Sequence, residues 1–292
     1  AVFADAFEEQ QGQGGMMGMP SFAPIDTGLE KLLAHYGIQI QKAYVLDKNS
    51  YKQQLPQSQG GGEQAIYFAP VIKDDAINKD PAFMKNIKGL VAMQISPVKY
   101  LRGAQDETKV NAVRLLSSSD QAWLMEDNIN LNPMFLSPPP SDSDLSTYDL
   151  AYLLEGQFTS YFKGKPVPEK EAGETDIQDE KKEEGPQPPE MSSKNIEGLE
   201  AGNRVIETSA PAKIFVLGCV QMLHDNMLDE EGRTTNATFL LNVIDHLNGD
   251  DGTALLRSKQ QTLNPISDTD PLTKNIIKGF NVIGLCVLVF LF

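Results

Sequence analysis

The sequence has 292 residues, a formal net charge of −15 and a pI of about 4.6. A chain of this length can bury one large or two modest hydrophobic cores. Nucleic-acid binding is not predicted, because it needs a basic surface and the sequence has no cluster of Lys and Arg. Cys219 follows a strand-like run and Cys286 lies in an apolar tail, so neither a disulfide nor a cysteine-based metal site is predicted.

The amino-terminal segment reads AVFADAF and has neither an initiator methionine nor a signal-like region. We interpret it as the end of a strand already under way, which predicts a fragment whose earlier strands are missing. Residues 8–24 hold four glycines and three methionines without a helical or strand period. This composition predicts a flexible loop.

The middle of the chain alternates between helical and strand-like patterns. A helix is predicted over residues 26–36, where apolar residues recur at i, i+3, i+4 and i+7 before Gly37. Pro70 predicts an edge or terminal strand for the run 65–72, and the continuous apolar run 89–96 is typical of a central buried strand. The other strands are predicted within 38–47, 110–124, 149–162 and 213–217, with a terminal strand pair within 251–266.

An acidic low-complexity segment interrupts these patterns. Residues 169–190 hold nine acidic residues, three lysines and three prolines, with almost nothing that can be buried. Such a composition predicts a solvated, disordered insertion. The domains predicted from this break are an α/β domain, first part, over 1–162, the acidic disordered insertion over 163–195, the last strand and helix of the α/β domain over 196–272, and the start of a transmembrane helix over 273–292.

The carboxyl-terminal tail is the most apolar stretch of the sequence. Residues 279–292 are fourteen residues without a charge, and the run is still apolar at the last position. A membrane span needs about 20 apolar residues. We therefore predict the first two-thirds of a transmembrane helix that the end of the fragment cuts off, with a buried core helix as the alternative.

Residues 211–249 read as a strand, a loop and a helix. The strand 213–217 stops at Gly218, and the following helix has Thr235 or Asn236 as its N-cap and Asn248-Gly249 as its stop. In an open α/β sheet, ligands bind at the carboxyl ends of strands. The loop after this strand, here called the crest (residues 218–224), therefore provides a weak candidate site formed by Gly218, Cys219 and His224.

Catalytic chemistry is not predicted from these residues. Cys219 occupies the place of a nucleophile after a strand, but His224 has no third group that would orient it as a base. The serines 117–119 lack the flanking glycines of a nucleophile elbow and are predicted to form a turn capped by Asp120. The pairs His224-Asp225 and Asp245-His246 are predicted to be solvated, because no further ligand is spaced to complete a metal site. We therefore assign no catalytic residue, no metal ligand and no cofactor.

The order of several segments resembles a known family, the extracytoplasmic auxiliary component of gliding-motility-type (GldG-like) ABC transporters. The segments are TGLEKLLAHYGIQIQKAYVLD, RLLSSSDQAW, LLEGQFTSYF before the charged insertion, PAKIFVLG, NATFLLNVIDHLNGDDGTALLRSK and PLTKNIIKGFNVIG. The chain departs from the family pattern at Gly218-Cys219-Val220, where the family has a Gly-Asp-Ser-like crest, and at Cys286, where a proline is typical.

The resemblance implies an α/β fold, a flavodoxin-like or glutamine-amidotransferase-like open sheet with helices on both faces and no catalytic residues. It also implies a bacterial inner-membrane protein whose soluble domain faces the periplasm and works with an ABC permease and ATPase. The predicted function is a non-enzymatic auxiliary subunit that scaffolds or gates the transporter. Two alternatives remain open, namely a Cys219-dependent amidotransferase-like hydrolase, and a solute- or glycan-binding module with a cleft lined by Trp123, Phe135, Tyr148 and Tyr152.

Overall fold

A computed structural model describes residues 1–10, 20–165, 206–229 and 232–259, together with the single positions 273 and 278. These residues form a mixed α/β fold. The strands are β1 (Val2–Phe3), β2 (Phe7–Gln10), β3 (Ser21–Pro24), β4 (Ile38–Ile40), β5 (Tyr44–Asp47), β6 (Ser50–Gln54), β7 (Glu63–Ile72), β8 (Leu90–Val91), β9 (Val98–Tyr100), β10 (Val110–Ser117), β11 (Ala122–Met125), β12 (Asp149–Gly156) and β13 (Ala212–Leu217). The helices are α1 (Glu30–His35), α2 (Thr235–Leu247) and α3 (Asp251–Lys259).

The main sheet has four strands in the order β1-β13-β12-β10. β1 runs parallel to β13, whereas β12 runs antiparallel to both β13 and β10. Four smaller sheets, β11-β5, β2-β3, β4-β9 and β6-β7-β8, complete the described part of the chain. The α/β class is therefore confirmed in its coarse form, and a flavodoxin-like or glutamine-amidotransferase-like sheet is not.

The main sheet is covered on both faces because its strands alternate. Phe215 and Leu217 of β13 belong to a first core, in which Phe239 and Val243 of α2 also lie. Val216, between them in sequence, belongs to a second core on the opposite face. That second core also contains Leu33 of α1, Ile38, Val98, Tyr152 and Leu154.

A third core lies under the smaller sheets. It consists of Ala6, Phe7, Tyr44, Leu46 and Trp123. Phe7 and Tyr44 pack ring against ring with centroids 4.9 Å apart. This core joins the β2-β3 hairpin to the β5-β11 pair.

Two strand predictions need correction in their extent and position. The single strand predicted over 38–47 is two strands, β4 and β5, because a turn in which the Ala43 N–H donates to Gln41 O separates them and each joins a different sheet. The predicted edge strand 65–72 lies within β7, the central strand of its sheet. Pro70 is tolerated there because it pairs with Ser50 at a register shift, where the ladder is already interrupted.

The segment 89–96 is partly buried, with Leu90, Ala92, Ile95 and Ser96 in the interior, and only Leu90 and Val91 form a strand. On the side of Val91 away from β7, a helix side chain takes the place of another strand. The Asn236 amide of α2 donates to Val91 O at 2.8 Å and accepts from Val91 N at 3.1 Å. A side-chain amide thus satisfies the backbone groups that a central strand would pair with a neighbour.

Two further predictions also need correction. Residues 8–24, predicted as a loop, include most of β2 and all of β3, which pair as a hairpin; the methionines between them lie outside the described residues. The strand pair predicted within 251–266 is the helix α3 over its described part. Asp250 caps this helix by accepting from Thr253 N at 3.1 Å and Thr253 Oγ1 at 2.7 Å.

The caps of the predicted helices lie close to their expected places. Thr234, one residue before the predicted positions, caps α2 by accepting from Ala237 N at 3.2 Å. Gly37 and Gly249 end α1 and α2 with positive φ, as their sequence positions predict.

Most of the acidic insertion and the apolar tail 279–292 lie outside the described residues. Among the helices that the structure describes, none combines the length and the apolar composition of a membrane span.

Candidate functional site

The parallel pairing of β1 with β13 creates the crest. Val2 pairs with Val216 and Phe3 with Leu217, so both strands end at the same edge of the sheet. Asp5 follows β1 and lies beside the crest, where its Oδ1 accepts from Val220 N at 2.6 Å. The candidate site therefore includes a carboxylate that the sequence analysis did not select.

The Asp5 carboxyl has a raised pKa in this position. Burial raises the pKa of its carboxyl above the ordinary value of 3.8, while the hydrogen bond from Val220 and the nearby His224 act in the opposite direction. The sequence signal for this residue is its place in AVFADAF, a polar side chain directly after a short apolar strand.

Cys219 is fully buried at the crest. Its Sγ donates to Met93 O at 3.1 Å. Burial, reinforced by the negative charge of Asp5, raises the pKa of the thiol to about 12. Because the nucleophile is the thiolate, this environment disfavours nucleophilic chemistry at neutral pH.

His224 is exposed, and no hydrogen bond joins it to Cys219 in the described part of the chain. The structure thus buries Gly218 and Cys219 beside the half-buried Asp5 and leaves the candidate base His224 exposed. A nucleophile–base–orienter arrangement is not formed by these residues.

A neighbouring segment covers the crest. The Ser96 N–H donates to Gly218 O at 2.7 Å, and a Cβ added at Gly218 would lie only 2.3 Å from Ser96 O. Ser96 is itself fully buried. The carboxyl end of β13 is therefore a packed crossing of two chain segments, in which Gly218 and Cys219 are buried.

The serine turn has structural partners. Asp47, and not the predicted Asp120, anchors it by accepting from Ser119 N at 2.9 Å and Ser119 Oγ at 2.6 Å. Ser118 Oγ accepts from Tyr148 N at 2.8 Å. The prediction of a turn is confirmed, and the residue that caps it comes from the distant strand β5.

His246 was predicted to be solvated and is instead buried, with 9% of its surface exposed. Its Nδ1 lies 2.5 Å from Asp251 Oδ1, its Nε2 lies 3.1 Å from Glu155 Oε1, and its ring stacks on Phe83 with centroids 4.3 Å apart. The ring is buried because it joins α2, α3 and β12. The described residues contain no group of three or more His, Cys, Asp or Glu side chains positioned to bind a metal ion.

The four aromatic residues predicted to line a ligand cleft do not lie in one common cleft. Trp123 and Tyr148 face a groove of about 520 Å³ with carboxylates around it. Phe135 is 66% exposed on a loop, and the Tyr152 hydroxyl donates to Asp149 at 2.5 Å in a different part of the molecule.

A pocket of about 370 Å³ lies beside Asp5, between α1 and β4. Two of its charged side chains have partners: Glu30 accepts from Thr27 N at 2.9 Å, and Lys42 lies 3.6 Å from Glu30 and donates to the Ile25 carbonyl. The hydrogen bond from the Thr27 backbone is the main reason why the pKa of Glu30 falls to about 2. These contacts stabilise the start of α1.

Comparison with known proteins supplies the family. A family model described as an ABC-type uncharacterized transport system (ABC_transp_aux) matches residues 1–243. The chain belongs to this family. Comparison with curated proteins and with solved structures gives no match. Membership of this ABC transport auxiliary family supports a transporter-associated, non-catalytic role, and the covered crest agrees with it; the finer GldG-like assignment is not confirmed.

Proposed function

We propose that this chain is a non-catalytic auxiliary subunit that docks onto the permease and ATPase of an ABC-type transporter of the gliding-motility type. The observation that carries this proposal is the covered crest. The place where an α/β enzyme would hold its nucleophile contains a buried thiol bonded to Met93 O and a backbone crossing at Gly218. The family match adds the transport context.

In this proposal the soluble domain lies on the periplasmic side of the bacterial inner membrane, and the apolar segment 279–292 anchors it. Removal of residues 279–292 should move the protein from the membrane fraction to the soluble fraction while the domain still unfolds cooperatively. Loss of folding in the shortened chain would instead identify the segment as part of the core.

Docking is tested by affinity purification of the full chain from solubilised membranes of its native host, followed by mass spectrometry. The proposal predicts that an ABC ATPase and a multispanning permease co-purify in fixed ratio. The matched bait is the double variant Cys219→Ser, His224→Ala, which should recover the same partners. Recovery of the bait without either transporter subunit would contradict the proposal.

No observation favours the Cys219-dependent hydrolase, because the buried thiol and the exposed His224 are not joined. A ligand-binding role is supported by a different group of residues, far in sequence from the crest.

A further inference from the structure

A pocket of about 360 Å³ lies over the third core. Four chain segments meet there. The β2-β3 hairpin contributes Glu9 and Phe22, which are directly paired across the ladder. β7 contributes Phe68, the turn after β8 contributes Gln94, and the loop after β11 contributes Asn130 and Asn132. We call these six residues the amide pocket.

Gln94 is held in a costly backbone conformation at this pocket. Its φ is +56°, in the left-handed region that residues other than glycine and asparagine seldom adopt. The conformation is fixed from outside the residue, because the Gln94 N–H donates to Phe68 O at 2.8 Å. The Gln94 side-chain amide has no hydrogen-bond partner among the described residues, so the strain presents an unused donor and acceptor at the pocket.

The two asparagines are oriented by their own loop. Asn130 Oδ1 accepts from Asn132 N at 3.0 Å, and Asn132 Oδ1 accepts from Met134 N at 3.0 Å. These turns use the carbonyl oxygens. Within the described residues neither NH₂ group has a partner, so two further donors remain for a ligand.

The charge of the lining restricts the ligand. The described lining residues include no Lys, Arg or His, and Glu9 is the single charged group among them. The whole chain carries −15. An anion such as phosphate or a carboxylate would meet repulsion without a countercharge.

We propose that the amide pocket binds a neutral saccharide unit. The apolar faces of a sugar ring pack against Phe22 and Phe68, and its hydroxyls receive hydrogen bonds from the three amides and donate to Glu9. A volume near 360 Å³ is at the low end of the roughly 300–1,000 Å³ found for small-molecule sites, which suits one or two sugar rings. This site is independent of the docking role proposed above.

Binding is tested with the full chain by saturation-transfer NMR and calorimetry. The probes are glucose, galactose, mannose, N-acetylglucosamine, maltose and cellobiose, with inorganic phosphate and choline as charged probes. At least one sugar should bind with a Kd below about 10 mM, and neither charged probe should compete with it. The variant Gln94→Gly should weaken that sugar at least about tenfold, because it removes the amide.

Gln94→Gly should remain folded, because glycine adopts positive φ without strain, so its Tm should not fall. A loss of binding in this variant therefore reports on the missing amide. Glu9→Gln, at an exposed position of β2, is the second variant and should weaken the same sugar about threefold or more. The matched control is Gln39→Ala, which removes an amide from the other pocket of similar size and should leave the Kd unchanged. Three results would overturn the proposal. They are that no sugar binds, that a charged probe competes with the sugar, or that both pocket variants lose less affinity than these factors.

Discussion

Cys219 is the residue on which an enzymatic interpretation of this chain would depend. Burial raises its pKa to about 12, so the thiolate is much rarer near neutral pH than in an exposed cysteine. In a Cys286→Ser background, Cys219 should therefore resist labelling by iodoacetamide at pH 8 and react fully in denaturant. Fast labelling of the folded protein near neutral pH would contradict the buried, protonated thiol.

Gly218 shows how closely two segments cross at the crest. Gly218→Ala would place a Cβ 2.3 Å from Ser96 O, so we expect the free energy of unfolding to fall by about 2–4 kcal/mol. The matched control is Gly89→Ala, whose Cβ would lie 3.7 Å from Ile72 O, an ordinary contact that should change stability by less than about 1 kcal/mol. Urea unfolding measures both; equal effects would show that the crest is not tightly packed.

We expect Asp5 to make the stability of the folded protein depend on pH. Its pKa is raised in the folded protein, so the folded state binds the proton more tightly and this group's contribution to stability falls as the pH rises above 3.8. Asp5→Asn keeps an acceptor for Val220 N and removes the charge. The variant should gain in free energy of unfolding relative to the natural chain between pH 4 and pH 7. A difference that is constant or shrinks over this range would contradict the burial of the carboxylate.

At the scale of elements, Asn236 joins α2 to β8. Asn236→Leu would leave the N–H and carbonyl of Val91 without their partner, which should cost about 2–3 kcal/mol. Asn248→Leu, at an exposed position at the opposite end of the same helix, should change stability by less than about 1 kcal/mol. Thermal and urea unfolding of the two variants would detect the difference, and equal Tm values would mean that the amide bridge is not stabilising.

Asn236 also lies in the N-glycosylation sequon Asn236-Ala237-Thr238. Its side-chain amide is buried and hydrogen-bonded to Val91, which leaves no room for a glycan.

Local sequence patterns, such as apolar runs and glycine stops, predicted those strands and helix ends that depend on neighbouring residues alone. The strand 213–217 and the end of α2 at Gly249 follow from an apolar run and a glycine stop. The segment 251–266 was mistaken for strands, although the Asp250-to-Thr253 spacing is a helix cap that the sequence does contain. The position of Pro70 in a central strand was not predictable, because it depends on a register shift in the pairing with the neighbouring strand β6.

At the scale of the whole molecule, pairings between distant segments could not be predicted from periodicity. The alternation in β13 predicts two buried faces, but it does not say that β1 lies on one side and β12 on the other. The crest was chosen from its place after a strand, whereas Asp5 and Ser96 come to it from segments more than 100 residues away in sequence. His246 likewise is buried by partners on β12 and α3, which no pattern near residue 246 indicates.

We propose that this domain acts on a transporter by docking and without chemistry at its crest. The decisive measurement is ATP hydrolysis by the reconstituted permease and ATPase without the chain, with the natural chain, and with the variant Cys219→Ser, His224→Ala. We expect the natural chain to bind the complex and change its ATPase rate, and the double variant to bind and act equally. A double variant that still binds but no longer changes the rate would contradict this proposal, as would a natural chain that neither binds nor alters ATP hydrolysis.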